Sequence, residues 1–301
     1  MRKIASTCWP FDHNKLTQKQ VIEKALDLGA DELCIRTPSR AALYAPAWHD
    51  ELARLAQNAG IDISIWPVVA LFDPEKETSA IREAIARYLP ARVVLDAEIK
   101  TYTANLPRFL TALGRLDVPV GLGSFRRPSL HPEMRWQTWW TAKAPSGEFI
   151  IDFVATQLYP IGWISPTNWV NQTRLDVDSN EAELQKAGRT GIPWLPWMPA
   201  FIGSTYEGQE TPWIPSAESV AAQVAFLQKR LGERLIGLNW WSLDQRLVDI
   251  PALYAYVKSM PGDDAPPASF LQLPESKRWE LVARGLKEQC ILDADGVPVE
   301  V

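Results

Sequence analysis

Asp96 and Glu98 stand one residue apart at the end of an apolar, β-branched run, Ala91-Arg-Val-Val-Leu-Asp-Ala-Glu-Ile-Lys100. Side chains at i and i+2 of a strand point to one face, so the two carboxylates project together with Val94 beneath them. Carboxylates are rarely tolerated in a dry core without partners, so a buried strand that ends this way is expected to open into a cavity. Such a pair can do acid–base work, one member donating a proton and the other raising its pKa by like-charge repulsion. The structural alternative is a salt-bridged pair, with Arg36 or Lys100, that fixes a loop.

The elements that must position this pair alternate along the chain. Strands are expected at 3–9, 32–37, 61–69, 91–99, 119–125, 149–159, 193–201 and 235–243. Helices are expected at 17–28, 47–59, 76–88, 105–116, 132–140, 181–187, 216–231 and 250–260, with a long Gly-, Pro- and Trp-rich loop before the sixth. The signals are apolar periodicity, Gly29 and Gly60 as stops, and Pro74 near a start. Eight such units predict an α/β fold, a single (β/α)8 TIM barrel over residues 1–261. An open doubly wound sheet would want a Gly-x-Gly-x-x-Gly turn, which the chain lacks. Residues 262–301 read as a linker and a small helical extension, too short for its own core and expected to pack on the barrel.

Barrels of this kind work at the C-terminal ends of their strands. The unusual side chains gather there: Trp9, Arg36, Trp66, the Asp96–Glu98 pair, Gln157 and Tyr159, Trp197, then Asn239, Trp241 and Asp244. Asn239 and Trp241 share a strand face, which sends Trp240 to the helix side. Trp136, Trp139 and Trp140 read as helix packing. A polar cleft floored by aromatic rings suits carbohydrate, because pyranose faces stack on Trp and Tyr while carboxylates and amides take hydroxyls. Glycoside cleavage needs a carboxylic acid for the leaving oxygen and a second group to stabilise the oxocarbenium-like centre. Strand spacing puts the Asp96 and Glu98 Cα atoms ~6–7 Å apart, which leaves inversion and retention both open.

Composition narrows the partners. The balance of 31 basic and 36 acidic side chains, net charge −5, comes without a Lys/Arg-dense run, which argues against nucleic acid. Cys8, Cys34 and Cys290 and the histidines His13, His49 and His131 show no metal-ligand spacing, so no metal or other cofactor is expected. The N-terminal stretch is too short for a signal peptide and no run could span a membrane. The expectation is a protein cytoplasmic as synthesised, without membrane insertion, that leaves the cell, if at all, by a phage- or prophage-type release.

Leu95-Asp-Ala-Glu98, Gln157-Leu-Tyr159 and Gly237-Leu-Asn-Trp-Trp-Ser-Leu-Asp244 together resemble the family 18 chitinase-type glycoside hydrolases. The resemblance implies Glu98 as general acid and Asp96 orienting the substrate's acetamido group, whose oxygen is the internal nucleophile. It further implies Tyr159 assisting that group and Trp241 flooring the sugar site. The family's further acidic positions hold Val94 and Ala91 here. The Asp-x-Glu ending is also similar to the peptidoglycan-cleaving family 25 lysozymes, whose inward Asp on strand one is replaced by Ser6, Thr7 and Cys8.

The expected function is therefore a glycoside hydrolase acting on a β-linked N-acetylhexosamine polymer, chitin- or peptidoglycan-like. Glu98, Asp96 and Tyr159 carry the chemistry. Trp241, Asn239, Gln157, Trp66, Trp9, Trp197, Arg36 and Asp244 line the substrate. The rivals are a non-catalytic carbohydrate-binding or structural barrel, for which Val94 and Ala91 speak, and a sugar isomerase or epimerase, which would need a metal or phosphate site.

Overall fold

A computed structural model describes residues 2–7, 16–37, 46–98, 101–160, 165–201, 213–243 and 247–261. Its eight parallel strands are β1 (Arg2–Thr7), β2 (Glu32–Thr37), β3 (Asp62–Pro67), β4 (Arg92–Asp96), β5 (Val120–Gly123), β6 (Phe153–Val154), β7 (Trp197–Pro199) and β8 (Gly237–Trp241). The helices between and after them are α1 (Gln18–Leu28), α2 (Pro46–Asn58), α3 (Pro74–Tyr88), α4 (Leu106–Leu113), α5 (Trp136–Thr141), α6 (Pro166–Lys186), α7 (Ala217–Leu231) and α8 (Pro251–Ser259). The strands pair in the order β6-β5-β4-β3-β2-β1-β8-β7. Single parallel bridges, Val154 with Trp194 and Gln157 with Trp197, close the remaining seam between β6 and β7. The fold is a (β/α)8 barrel.

Period-two alternation sorts the strand residues into two cores. Leu33, Ile35, Ile63, Ile65, Val93, Leu95, Leu238 and Trp240 face outward and pack with the helices. Ile4, Cys34, Trp66, Val94, Phe153, Leu195 and Trp197 fill the lumen. The lumen is tight enough to dictate glycine. A Cβ at Gly121 would lie 2.1 Å from the Phe153 ring, and one at Gly237 would lie 2.7 Å from Leu195 Cδ1. At the N-terminal mouth Glu32 is fully buried, 2.9 Å from Arg92 and 3.6 Å from Arg2. Burial pushes its carboxyl up against the pull of both arginines.

Helix starts follow their caps. Thr17 and Gln20 form a capping box on α1, and Gly29 ends that helix in the left-handed region. Asp73 caps α3, Ser216 caps α7, and Ser165 caps α6 with Pro166 in its first turn.

Several boundaries differ from the sequence expectation. β4 ends at Asp96, so Glu98 lies just beyond the strand rather than on it. The alternation nevertheless continues, because Ala97 N–H donates to the Gly123 carbonyl at 2.8 Å and Ala97 is buried outward. Regular pairing in β6 covers only Phe153–Val154, the rest of the expected 149–159 strand being held by isolated bridges and single hydrogen bonds. The 132–140 helix is a 3-10 turn followed by α5. The loop expected before 181–187 is mostly helix: α6 begins at Pro166. Its inward face uses Thr173, Asp176 and Asn180, all fully buried or nearly so, and this polar face hid the helical period. Residues 8–9 of the first expected strand and 262–301 lie outside the described residues. Among the described residues no helix is long and apolar enough to cross a membrane.

Candidate active site

At the C-terminal end of the barrel, eight of the expected residues line one open cleft of about 200 Å3: Arg36, Trp66, Asp96, Glu98, Gln157, Tyr159, Trp197 and Trp241. They come from β2, β3, β4, β7 and β8 and from the segments after β4 and β6, so no short stretch of sequence contains the site.

Asp96 is the inner carboxylate. It stands on β4 directly above the buried Val94, and its Oδ1 is enclosed with no hydrogen-bond partner among the described residues. Burial first, and the Glu98 charge second, raise its pKa to about 7, against the opposing pull of the Arg36 guanidinium. Glu98 is the outer carboxylate, exposed at the mouth. One carboxyl is thus held largely enclosed and close to neutral, while its neighbour is open to solvent and to any ligand. The Asp96 carbonyl accepts from Val69 N–H at 2.8 Å, and the Ser124 hydroxyl donates to the Ala97 carbonyl at 2.6 Å. These bonds fix the strand end that carries both groups.

The floor is aromatic. Trp66 meets Trp241 edge to face at 4.7 Å and Trp197 at 5.2 Å, and Trp197 lies 5.2 Å from Trp241. Trp66 and Trp197 are nearly sealed, whereas Trp241 keeps part of its ring open. The Arg36 guanidinium carbon sits 5.0 Å from the Trp66 ring centre, a cation–π distance. The peptide bond joining Trp241 to Ser242 is cis.

Tyr159 is held from several sides. Arg126 donates to its carbonyl at 3.0 Å, and Phe201 packs edge to face on its ring at 5.2 Å. The preceding carbonyl, Leu158, accepts from the buried Gln223 amide at 2.9 Å, and Gln223 in turn accepts from Trp169 Nε1 at 2.8 Å. Gln157 N–H donates to Ser124 at 3.1 Å, which hangs the segment from β5. Arg126, Phe201, Gln223 and Trp169 were not singled out in the sequence. Only Arg126, next after the fifth strand, carried a positional signal.

Asn239 is fully buried on β8 below Trp241 and does not reach the cleft lining. Trp9 and Asp244 lie outside the described residues. Trp240 faces the helices, as alternation requires, and Trp136, Trp139 and Trp140 are buried in the outer core. Cys34 is buried in the lumen. Among the described residues no cluster of three His, Cys, Asp or Glu side chains could hold a metal ion.

No protein-family model and no curated protein sequence matches the chain. Solved structures do match in fold. The catalytic domain of a hyperthermophilic chitinase from Pyrococcus furiosus aligns with TM-score 0.58 at 14% identity, over 85% of this chain and 93% of that one. A GH18 chitinase from Cycas revoluta in complex with (GlcNAc)3 aligns with TM-score 0.56 at 12% identity, over 86% and 99%. The Bacillus megaterium QM B1551 spore cortex-lytic enzyme SleL aligns with TM-score 0.53 at 12% identity, over 85% and 72%. At these identities the likeness establishes a shared barrel architecture.

Proposed function

We propose that this protein is a glycoside hydrolase acting on a polymer of β-linked N-acetylhexosamine, with Glu98 as its general acid. The observation that carries the reading is the meeting of Asp96, Glu98, Tyr159, Gln157 and Trp241 in one cleft at the working end of the barrel. The fold likeness to chitinases and to a spore cortex-lytic enzyme supports the polymer class.

The chemistry follows from the two unlike carboxyls. Glu98, at the open mouth, can reach a glycosidic oxygen and protonate it as the bond breaks. Asp96, enclosed beside it, holds the substrate's acetamido group so that its oxygen approaches the sugar carbon where positive charge develops. The Tyr159 hydroxyl donates to that oxygen and steadies the resulting cyclic intermediate, from which water later regenerates the sugar. The open part of Trp241 takes the apolar face of the ring. Arg36 keeps the inner carboxyl from losing all anionic character, since its charge opposes the effect of burial.

Glu98→Gln keeps the shape of the mouth and removes the acid. Turnover of chitooligosaccharides or peptidoglycan should fall at least 1,000-fold, on the order expected for losing general acid catalysis, while oligosaccharide binding persists. Undiminished turnover by Glu98→Gln would sink the assignment. Binding by the wild-type protein without any turnover would make the barrel a carbohydrate-binding one.

A further inference from the structure

Two aromatic rings outside the cleft are displayed to solvent and touch each other. Phe72 is 56% exposed and Tyr102 is 53% exposed, and their ring centres lie 5.4 Å apart, edge to face. Phe72 belongs to the connection after β3 and Tyr102 to the connection after β4, so both stand on the face of the barrel that carries the cleft.

The chain between cleft and rings is short. Val69 N–H is bonded to the Asp96 carbonyl, and Phe72 follows Val69 by three residues, so its Cα lies within ~11 Å of Val69 Cα at most. Tyr102 follows Glu98 by four residues, within ~15 Å by the same measure. A short run of sugar units leaving the cleft on this side covers such a distance.

The display is built, not frayed. The carboxylate of Glu77, 1% exposed, accepts the backbone N–H groups of Ala70, Leu71, Phe72 and Asp73 at 2.8–3.3 Å. Asn105 donates to the Leu71 carbonyl at 2.9 Å and ties the second connection to the first. Leu71 and Tyr102 both have positive φ, 57° and 59°. At Leu71 this turn sends the leucine inward, fully buried, and leaves Phe72 outside. Buried hydrogen bonding thus fixes the backbone that carries the two partly exposed rings. Around them Lys76 pairs with Asp73 and Arg108 with Glu75, a charged rim able to take sugar hydroxyls.

We infer that Phe72 and Tyr102 form an aromatic platform for the glycan chain beyond the cleft, gripping polymer rather than short oligosaccharide. The inference rests on the glycoside hydrolase reading and names where its polymer runs. Ring faces stack on pyranose, and the Tyr102 hydroxyl adds a polar handle that suits sugar better than an apolar protein partner.

The test uses the full chain carrying Glu98→Gln, so that binding is read without turnover. Affinity is measured by co-sedimentation with colloidal chitin and with peptidoglycan sacculi, and by titration with chitotriose. Phe72→Ser with Tyr102→Asn removes both rings, asparagine being tolerant of positive φ. The ratio of polymer affinity to trisaccharide affinity should fall at least fivefold, and Phe72→Trp alone should raise it. A double variant and a Phe72→Trp variant that both keep the parent's ratio would overturn the platform while leaving the cleft assignment standing. A parent that binds neither particles nor trisaccharide would overturn both. Self-association of the parent that disappears in the double variant, with the ratio unchanged, would overturn the platform in favour of a second copy of this chain.

Discussion

The indole of Trp66, at the end of β3, meets the indole of Trp241, at the end of β8, edge to face at 4.7 Å across the mouth of the barrel. One ring is nearly sealed and the other is presented. Trp66 is 2% exposed and also packs on Trp197, whereas Trp241 is partly open to the cleft. Their truncations should therefore separate. Trp66→Ala is expected to cost about 3–5 kcal/mol of unfolding free energy, as for other fully buried aromatics. Trp241→Ala is expected to cost about 1–2 kcal/mol and to weaken oligosaccharide binding roughly tenfold, about 1.4 kcal/mol. Urea unfolding and ligand titration on the two variants check the split.

Asp96 makes stability depend on pH in a stated direction. Its pKa is about 7 in the folded chain against an ordinary 3.8, because burial and Glu98 disfavour its anion. Between these values the folded state binds more protons than the unfolded one, so stability falls as pH rises. The favourable contribution is complete below pH 3.8 and gone above about 7. A shift of this size corresponds to at most about 4 kcal/mol, water in the cleft reducing it. Asp96→Asn cannot ionise, so its stability relative to the parent should climb from pH 4 to pH 8. Melting curves of both proteins across that range would show parallel pH dependence if Asp96 were not held near neutral.

The same pair sets an expected limb of the activity profile. Asp96 stands beside the proposed acid, and its ionisation changes the charge of the group that would position the substrate. Activity should therefore drop as pH rises past about 7, the value at which the inner carboxyl ionises. In Asp96→Asn this ionisation is absent. The limb near pH 7 should therefore disappear from the profile, along with a loss in kcat. A limb that stays in place would detach Asp96 from the rate.

Much of this was legible because it is local. β2 is a short, mostly apolar run buried on both faces, and the α1 and α7 starts carry a Thr17–Gln20 box and a Ser216 cap, signals that lie within a few residues. The cleft was legible because topology alone puts strand ends together, so Arg36, Trp66, Asp96, Glu98, Gln157, Tyr159, Trp197 and Trp241 could be grouped without any contact information. What stayed hidden is non-local. α6 turns buried Asp176 toward Arg127 at 2.8 Å and Asn180 toward the Arg126 carbonyl at 2.9 Å, so its inward face reads as surface. Ser165-Pro166 was the available start signal. Asn239 shares a face with Trp241, but depth along the barrel, which alternation does not encode, leaves it sealed.

Barrel closure predicts a steric limit at Gly237. A methyl group there would lie 2.7 Å from Leu195 Cδ1 and 2.9 Å from the Arg2 carbonyl oxygen, and a backbone oxygen in a paired strand cannot retreat as a side chain can. Gly237→Ala should destabilise by about 1–3 kcal/mol, the usual cost of overpacking. Gly60→Ala is the wrong control, since its φ of 72° is strained for any L side chain. Gly191→Ala, where a Cβ meets nothing within 4 Å, should be close to neutral in the same urea titration.

Glu77 ties the stability of the fold to the shape of the face around the cleft. Its buried carboxylate accepts four consecutive backbone N–H groups, from Ala70 to Asp73, that turn the chain from the end of β3 into α3. Hydrogen bonds to a charged acceptor contribute more than neutral ones, and removing the acceptor strands several donors at once, so Glu77→Ala should cost about 3 kcal/mol or more. Glu77→Gln keeps the volume and one acceptor oxygen but replaces the other with a donor amide facing N–H groups. It should therefore lose a substantial part of the same energy rather than rescue it. Because the Val69 N–H bond to Asp96 lies at the near end of this turn, both variants should also lower kcat/KM while the protein remains folded. Hydrogen exchange at Ala70 to Asp73 would report the loosening directly: protection retained there in Glu77→Ala would mean that the turn is held by something other than this carboxylate.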